Sequence, residues 1–355
     1  MIVLGNKYLK FNYTKAQLML GFLLLYISCS DYKKPYSISG EAMGTTYSIK
    51  LVTSKDNINK QSLKNDIDSL FVKLNKQMST WDPNSEISLF NSWKSLAPYD
   101  VSDELLYVID NSIEISKQTD GLFDVTIYDL MSLWGFGPNP KSRFPDNQKI
   151  KQAMQNSGYK YIKIENSKLV KNNTSIKLDL NAIAKGYGVD KIFNFLFKKG
   201  IENIFVEVGG EVRAIGRNKN NKKWSIGIED PIENDVIQSN LSAIIYLSNK
   251  SVATSGNYRN IVNLDGEILG HTINPKTGLP IQTDVLSVTV LSELCMHSDA
   301  WATALMVMDY KTGYSKVENN PDIDAIWILE DSTSKEPYFS ISGDIEVSEM
   351  IYPIK

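Results

Sequence analysis

The spacing of apolar residues changes period partway along the chain, and that change restricts the fold more than any other feature. In the first half Leu63, Ile67, Leu70, Leu74 and Met78 recur at helical spacing, which predicts one long amphipathic helix. A second helix is expected from Ser102, an N-cap followed by Asp103 and Glu104; it buries Leu105, Val108, Ile109 and Ile113 and closes near Gly121. Further helices are expected between Asp146 and Gly158 and from about Ala182 to Lys199, the latter stopped by Gly200. The second half reads instead as short strands at Ile204–Val208, Trp224–Ile228, Ala243–Leu247, Ile261–Leu264 and Val285–Leu291, closed by Ala325–Leu329 and Tyr338–Ile341. Asp265-Gly266 suits a hairpin turn before Glu267–Leu269. Strands are also expected after Ser37, where Tyr47, Ile49 and Leu51 alternate, and at Tyr161–Glu165, Lys168–Val170 and Ile176–Leu180. Antiparallel strands with helices grouped between them make an α+β fold. No linker near residue 200 separates two folding units, so one domain is expected over 37–355.

The first residues are a different material. Lys7, Lys10 and Lys15 precede an apolar run from Leu18 to Ile27, followed by Ser28 and Cys29. That order predicts an export signal over 1–28, and the run is short for a membrane span. A small residue before cysteine resembles the lipobox of bacterial lipoproteins, in which the cysteine is lipidated, although Tyr26 stands where leucine is usual. The expectation is lipidation at Cys29, a tether over 29–36 and an exported, membrane-anchored protein facing the periplasm or cell exterior. Cys295 is the only other cysteine, so no disulfide framework is available; at the end of an apolar run it reads as a small buried hydrophobe. A formal net charge of −3 argues against a general nucleic-acid-binding surface.

The chemistry-bearing segments lie on turns and helix starts. His271-Thr-Ile-Asn-Pro-Lys-Thr-Gly278 puts one of only two histidines on a Pro/Gly-punctuated loop. Asp299 and Thr303, four apart at the start of an expected helix, share a face and can offer two hard oxygen ligands to one ion. Asp179-Leu-Asn-Ala-Ile-Ala-Lys-Gly-Tyr187 runs into a helix whose first N–H groups favour anions. Lys185 adds charge there, and Gly186 and Gly188 leave room for close packing. Trp81, beside a Pro turn, suits either ring stacking or the core. Asp120 and Asp124 lie in a turn-like loop, and Gly209-Gly210 reads as a hairpin. His297, without a third ligand nearby, reads as structural.

Taken in order, Met43-Gly-Thr-Thr, Ser79-Thr-Trp-Asp-Pro, Asp120-Gly-x-x-Asp124-Val-Thr, Asp179-x-x-Ala-x-Ala-Lys-Gly-Tyr, Gly209-Gly210, His271-x-x-Asn-Pro-x-Thr-Gly and Asp299-Ala-Trp-x-Thr resemble the ApbE family over roughly residues 36–330. The resemblance implies a Mg²⁺-dependent FAD:protein FMN transferase. Such enzymes cleave the FAD pyrophosphate, release AMP and esterify FMN to a threonine or serine of an acceptor flavoprotein, such as subunits of sodium-pumping NADH:quinone reductase or Rnf complexes. It implies an FAD site at Met43, Trp81, Leu122, Phe123, Asp124, Asp179, Lys185 and Ile273, and a metal held by Asp299, Thr303 and the carbonyl of Ala182. Three positions depart from the family pattern: Trp81 stands for tyrosine, Ala182 for serine or threonine, and Ala302 for an acid. An imidazole suits removal of the acceptor proton, making His271 the candidate base, with Asp299 acting through a metal-bound water as the other option. The competing readings are an FAD pyrophosphatase that releases FMN, and a flavin-binding lipoprotein without turnover.

Overall fold

A computed structural model describes residues 33–55, 58–235, 238–256 and 261–355. The expected export signal and Cys29 lie outside the described residues. Strands β1 (Lys34–Ala42) and β2 (Thr45–Thr53) form a hairpin whose two-residue loop, Met43-Gly44, has φ of 53° and 76°. Positive φ at both positions is the turn that follows strand twist, and glycine takes it without steric cost. β1 begins inside the stretch expected as a tether. Lys34, Pro35 and Tyr36 pair with Thr53, Val52 and Leu51, and a proline is tolerated because β1 is an edge strand.

Helices α1 (Lys60–Met78), α2 (Glu86–Ser92), α3 (Asp103–Gln118), α4 (Tyr128–Leu133) and α5 (Asn147–Gln155) follow, with the β3 (Ile162–Glu165) and β4 (Lys168–Lys171) hairpin after them. Capping agrees with the sequence reading where it was specific: Ser102 caps α3 and Asp146 caps α5. The stretch Ile176–Leu180 is not a strand. Its backbone is held by side chains instead. Asn91 of α2 accepts from the Leu178 N–H at 2.7 Å and donates to the Leu178 carbonyl at 2.8 Å. Lys171, buried, donates to the carbonyls of Phe90 at 3.1 Å and Ile176 at 3.4 Å.

The rest of the chain builds the scaffold. In order come α6 (Ala184–Lys198), β5 (Asn203–Val208), β6 (Glu211–Ile215), β7 (Trp224–Asp235), β8 (Gln238–Leu247) and β9 (Lys250–Gly256). Then follow β10 (Ile261–Leu264), β11 (Glu267–Gly270), β12 (Val285–Ser292), α7 (Cys295–Val307), α8 (Tyr310–Glu318), β13 (Ile323–Glu330), β14 (Pro337–Ser342) and β15 (Val347–Ser348). Eight strands form one antiparallel sheet in the order β1-β2-β5-β6-β9-β12-β13-β14. β15, β8 and β7 form a second sheet across its other face. This is the α+β architecture expected from the sequence.

Period-two alternation sorts side chains between the two faces. On β13, Ile323, Ala325, Trp327 and Leu329 enter the core shared with the helices, while Ile326 and Ile328 enter the one between the sheets. A third apolar cluster, including Trp134, Ile150, Leu264 and Ile273, packs the β10–β11 hairpin against α4 and α5.

Candidate active site

The site grows from the contact between α6 and α7. Neither helix has a side-chain cap from its own N-cap residue, Ile183 or Leu294. Each is capped by the other. Asp299 of α7 accepts from the Gly186 N–H in the first turn of α6 at 3.0 Å. Asp190 of α6 accepts from the Cys295 and Met296 N–H groups, both at 3.0 Å, and from Arg213 at 2.6 Å. A carboxylate at a helix N-terminus satisfies orphan donors and lies at the positive end of the dipole. The helices approach closely because residue 186 is glycine: a Cβ there would sit 2.5 Å from the Cys295 carbonyl oxygen.

α7 starts at Cys295 rather than at Ser298, so His297 lies within it and pairs with Asn111 at 2.9 Å, in keeping with a structural histidine. Asp299 and Thr303 share one side of α7, with the Thr303 hydroxyl 3.4 Å from that of Ser255 on β9. Lys185, expected to help hold phosphates, forms an ion pair with Glu211 at the start of β6. Burial pushes the Asp299 carboxyl up despite the Lys185 charge and the Gly186 hydrogen bond. Burial also drives Glu211 up to about 7, with Lys185 opposing and Asp299 reinforcing the shift. Burial opposes the Lys185 charge, but Glu211 and Asp299 outweigh it and hold the ammonium above its ordinary range. The second oxygen of Glu211 is buried without a hydrogen-bond partner. The pocket therefore has more carboxylate than cation, and a small hard cation is the group that would balance it.

Other expected residues surround this group. The Met43 sulfur at the hairpin tip lies over Gly188, where a Cβ would come within 2.8 Å of it. Trp81 is 60% exposed, which removes the core alternative and leaves its ring face available. Asp179 is buried and accepts from the Asn181 N–H at 2.8 Å, and burial raises its pKa. Its own N–H donates to Val125 at 2.7 Å, which brings this segment beside the Asp124 loop. Asp124, also raised by burial, accepts from Thr126 and from the Tyr159 N–H at 2.8 Å, so it fixes its loop. Leu122 is half-buried, whereas Phe123 is 2% exposed and its ring belongs to the core. Ala182 is half-buried in the turn that leads into α6.

The His271 loop packs in a different cluster. Ile273 is buried there and bridges to Pro280, and Asn274 accepts from the Gly278 N–H at 2.8 Å. The His271 ring meets Phe136 edge-on at 6.4 Å. A cavity of 820 Å³ beside this loop is lined by Trp134, Asn274, Thr277 and Asp309 among others, apart from Asp299 and Lys185. Among the described residues, no three His, Cys, Asp or Glu side chains form a metal-binding group; of the expected metal set only Asp299 is one of these residue types. Sequence reasoning missed Glu211, Asp190 and Arg213. The only local signal for Glu211 was its place directly after the Gly209-Gly210 turn.

The chain is similar to known proteins along nearly its whole length. It is 38% identical to the FAD:protein FMN transferase of Vibrio cholerae over 324 residues, covering 91% of this chain and 96% of that one. It is 33% identical to the FAD:protein FMN transferase of Haemophilus influenzae over 300 residues, covering 82% and 86%. The solved flavin transferase ApbE from Vibrio cholerae superposes with a TM-score of 0.80 at 37% identity, covering 88% of this chain and 98% of that chain. The ApbE protein from Thermotoga maritima gives 0.72 at 29% identity, covering 89% and 97%. The ApbE family model matches residues 43–327, and on that match this chain belongs to the ApbE family.

Proposed function

We propose that this protein is an exported, lipid-anchored, Mg²⁺-dependent FAD:protein FMN transferase. The observation that carries the reading is the buried Asp299–Gly186 contact beside the Lys185–Glu211 pair, at the N-terminus of α6 and under the Met43 hairpin tip. The α6 N-terminus and Lys185 attract the pyrophosphate, and Trp81 and Met43 offer surfaces for the rings. Asp299, Thr303 and the Ala182 carbonyl supply oxygen donors suited to Mg²⁺. When bound, this ion neutralises charge on the pyrophosphate and the departing AMP.

The acceptor hydroxyl oxygen attacks the FMN phosphorus, the bond to the AMP oxygen breaks, and the hydroxyl proton passes to His271. Alignment and charge placement by Lys185, Asp299 and the helix start account for most of the acceleration. The test is incubation of the mature protein with FAD, Mg²⁺ and a candidate acceptor flavoprotein domain, followed by mass analysis. Gain of one FMN on the acceptor with one AMP released supports the transferase. Free FMN and AMP with an unmodified acceptor would make it a pyrophosphatase.

A further inference from the structure

We propose that the β1, β2, β5 and β6 part of the large sheet's end opposite the candidate site is a docking surface for anionic lipid headgroups, so that the site faces away from the membrane. This rests on the reading of Cys29 as the lipidated residue. Only five positions separate Cys29 from Lys34, where β1 begins, so the anchor lies within about 17 Å of that strand end even if the chain is fully extended. The body must therefore lie close to the bilayer at this end.

The part of this end formed by β1, β2, β5 and β6 is rich in basic side chains, whereas the part formed by β12, β13 and β14 carries exposed Glu293, Asp322 and Asp344. Lys34 pairs with Thr53, Lys55 two residues on donates to the Lys199 carbonyl at the C-terminus of α6, and Arg217 donates its N–H to Asn203 at the start of β5. This part of the surface thus carries Lys33, Lys55, Lys198, Arg217, Lys219 and Lys222, all exposed, against one exposed acid beside Asn203, Glu202. Lys199 and Lys223 lie there too, offset by Asp66 and Glu346. Lys198, Lys219 and Lys222 have no carboxylate partner among the described residues. Phe197 stands 51% exposed beside Lys198. In a chain with net charge −3, such a concentration is not average composition. Clustered lysines with an exposed aromatic next to a lipid anchor fit an anionic bilayer surface, where one acyl chain alone holds weakly.

The same strand and helix set the height of the site. β1 runs about 30 Å from Lys34 to the hairpin beside Met43. α6 runs about 20 Å from Lys185 to Lys198. The site therefore stands one domain length above the headgroups, open to acceptors whose target hydroxyl projects from the membrane.

The test uses the mature protein purified from membranes and reconstituted in vesicles with a nitroxide-headgroup lipid. A fluorophore is placed on Asn220→Cys at the basic end or on Glu41→Cys beside the hairpin tip. Cys295 is fully buried, so dye uptake by the parent protein reports whether Cys29 is free. The expected result is quenching several-fold stronger at 220 than at 41 in phosphatidylglycerol vesicles. It should weaken in phosphatidylcholine, and charge neutralisation by Lys219→Gln or Lys222→Gln should lower vesicle affinity roughly fivefold each. Equal quenching at both positions, or stronger quenching at 41, overturns the proposal. If Cys29 proves free, the lipidation reading fails by itself. The same labelled proteins added to preformed vesicles then decide the surface: phosphatidylglycerol-dependent quenching at 220 sustains it, and no association refutes it.

Discussion

Gly186 and Gly188 lie two residues apart on α6, and alanine at each should have opposite consequences. At 186 the new Cβ would meet backbone, 2.5 Å from the Cys295 oxygen and 2.6 Å from the Met296 Cα, where ordinary contact begins at 3.4 Å. Backbone of a packed helix cannot rotate aside, so the two helices must separate by about 0.9 Å. Alanine gains about 1 kcal/mol of helix propensity. Overpacking costs roughly 1–3 kcal/mol. Weakening the Gly186–Asp299 bond costs roughly 1.5–3 kcal/mol more, as for other hydrogen bonds to charged groups.

The net expectation for Gly186→Ala is a loss of about 2 kcal/mol or more, or a Tm lower by roughly 3 °C or more, with FMN transfer falling further than stability. At 188 the new Cβ would crowd only the flexible end of Met43, 2.8 Å away, with Phe71 at an ordinary 3.7 Å. A methionine tip can move, so Gly188→Ala should melt within about 1 kcal/mol of the parent while FAD affinity drops several-fold. Thermal melts and flavin titration on both variants decide it. A Gly186→Ala protein that melts at or above the parent temperature would refute the close-packing argument.

Trp81→Ala should leave Tm nearly unchanged, because the ring is 60% exposed, while weakening FAD binding by about 1 kcal/mol, roughly fivefold; the two are measured on the same protein. Asp299→Asn keeps an acceptor for Gly186 but loses the metal carboxylate, so transfer should fall at least about 100-fold with little change in melting. His271→Ala should slow transfer while FAD still binds, and parent-like turnover would place the base elsewhere. Burial lowers Lys171 to about 8, so between that pH and its ordinary 10.5 the unfolded chain holds the extra proton. Stability from this group therefore rises with pH across that window by up to about 3 kcal/mol. Urea midpoints of parent and Lys171→Met from pH 7.5 upward should diverge in that direction, and a constant difference would contradict it. Palmitate labelling of the parent and not of Cys29→Ser is the expected outcome for the anchor.

The helices with full turns of apolar spacing, such as α1 and α3, and the strands that alternate were legible because periodicity reports which face is buried. Periodicity does not report what lies opposite. Ile176, Leu178 and Leu180 alternate like a strand and are all buried, yet the backbone is held by Asn91 and Lys171. α2 is only seven residues long, too short for its spacing to stand out. The candidate site residues named from the sequence lie in local motifs on turns and helix starts. Glu211, Asp190 and Arg213 were not legible, because their partners are far away in sequence: Glu211 meets Lys185 across 26 positions, and Asp190 meets Cys295 across 105. Distance in sequence hides ion pairs that the sheet brings together.

Reciprocal capping makes α6 and α7 a single cooperative unit. The Gly186 amide cannot open without stranding the Asp299 carboxylate, and the Cys295 and Met296 amides cannot open without stranding Asp190. Fraying, which usually loosens helix ends first, is blocked at these two ends, beside Lys185 and Glu211. On heating, alignment of the site should thus persist until the domain melts and then vanish in one step, with no intermediate range in which a folded protein has lost its chemistry.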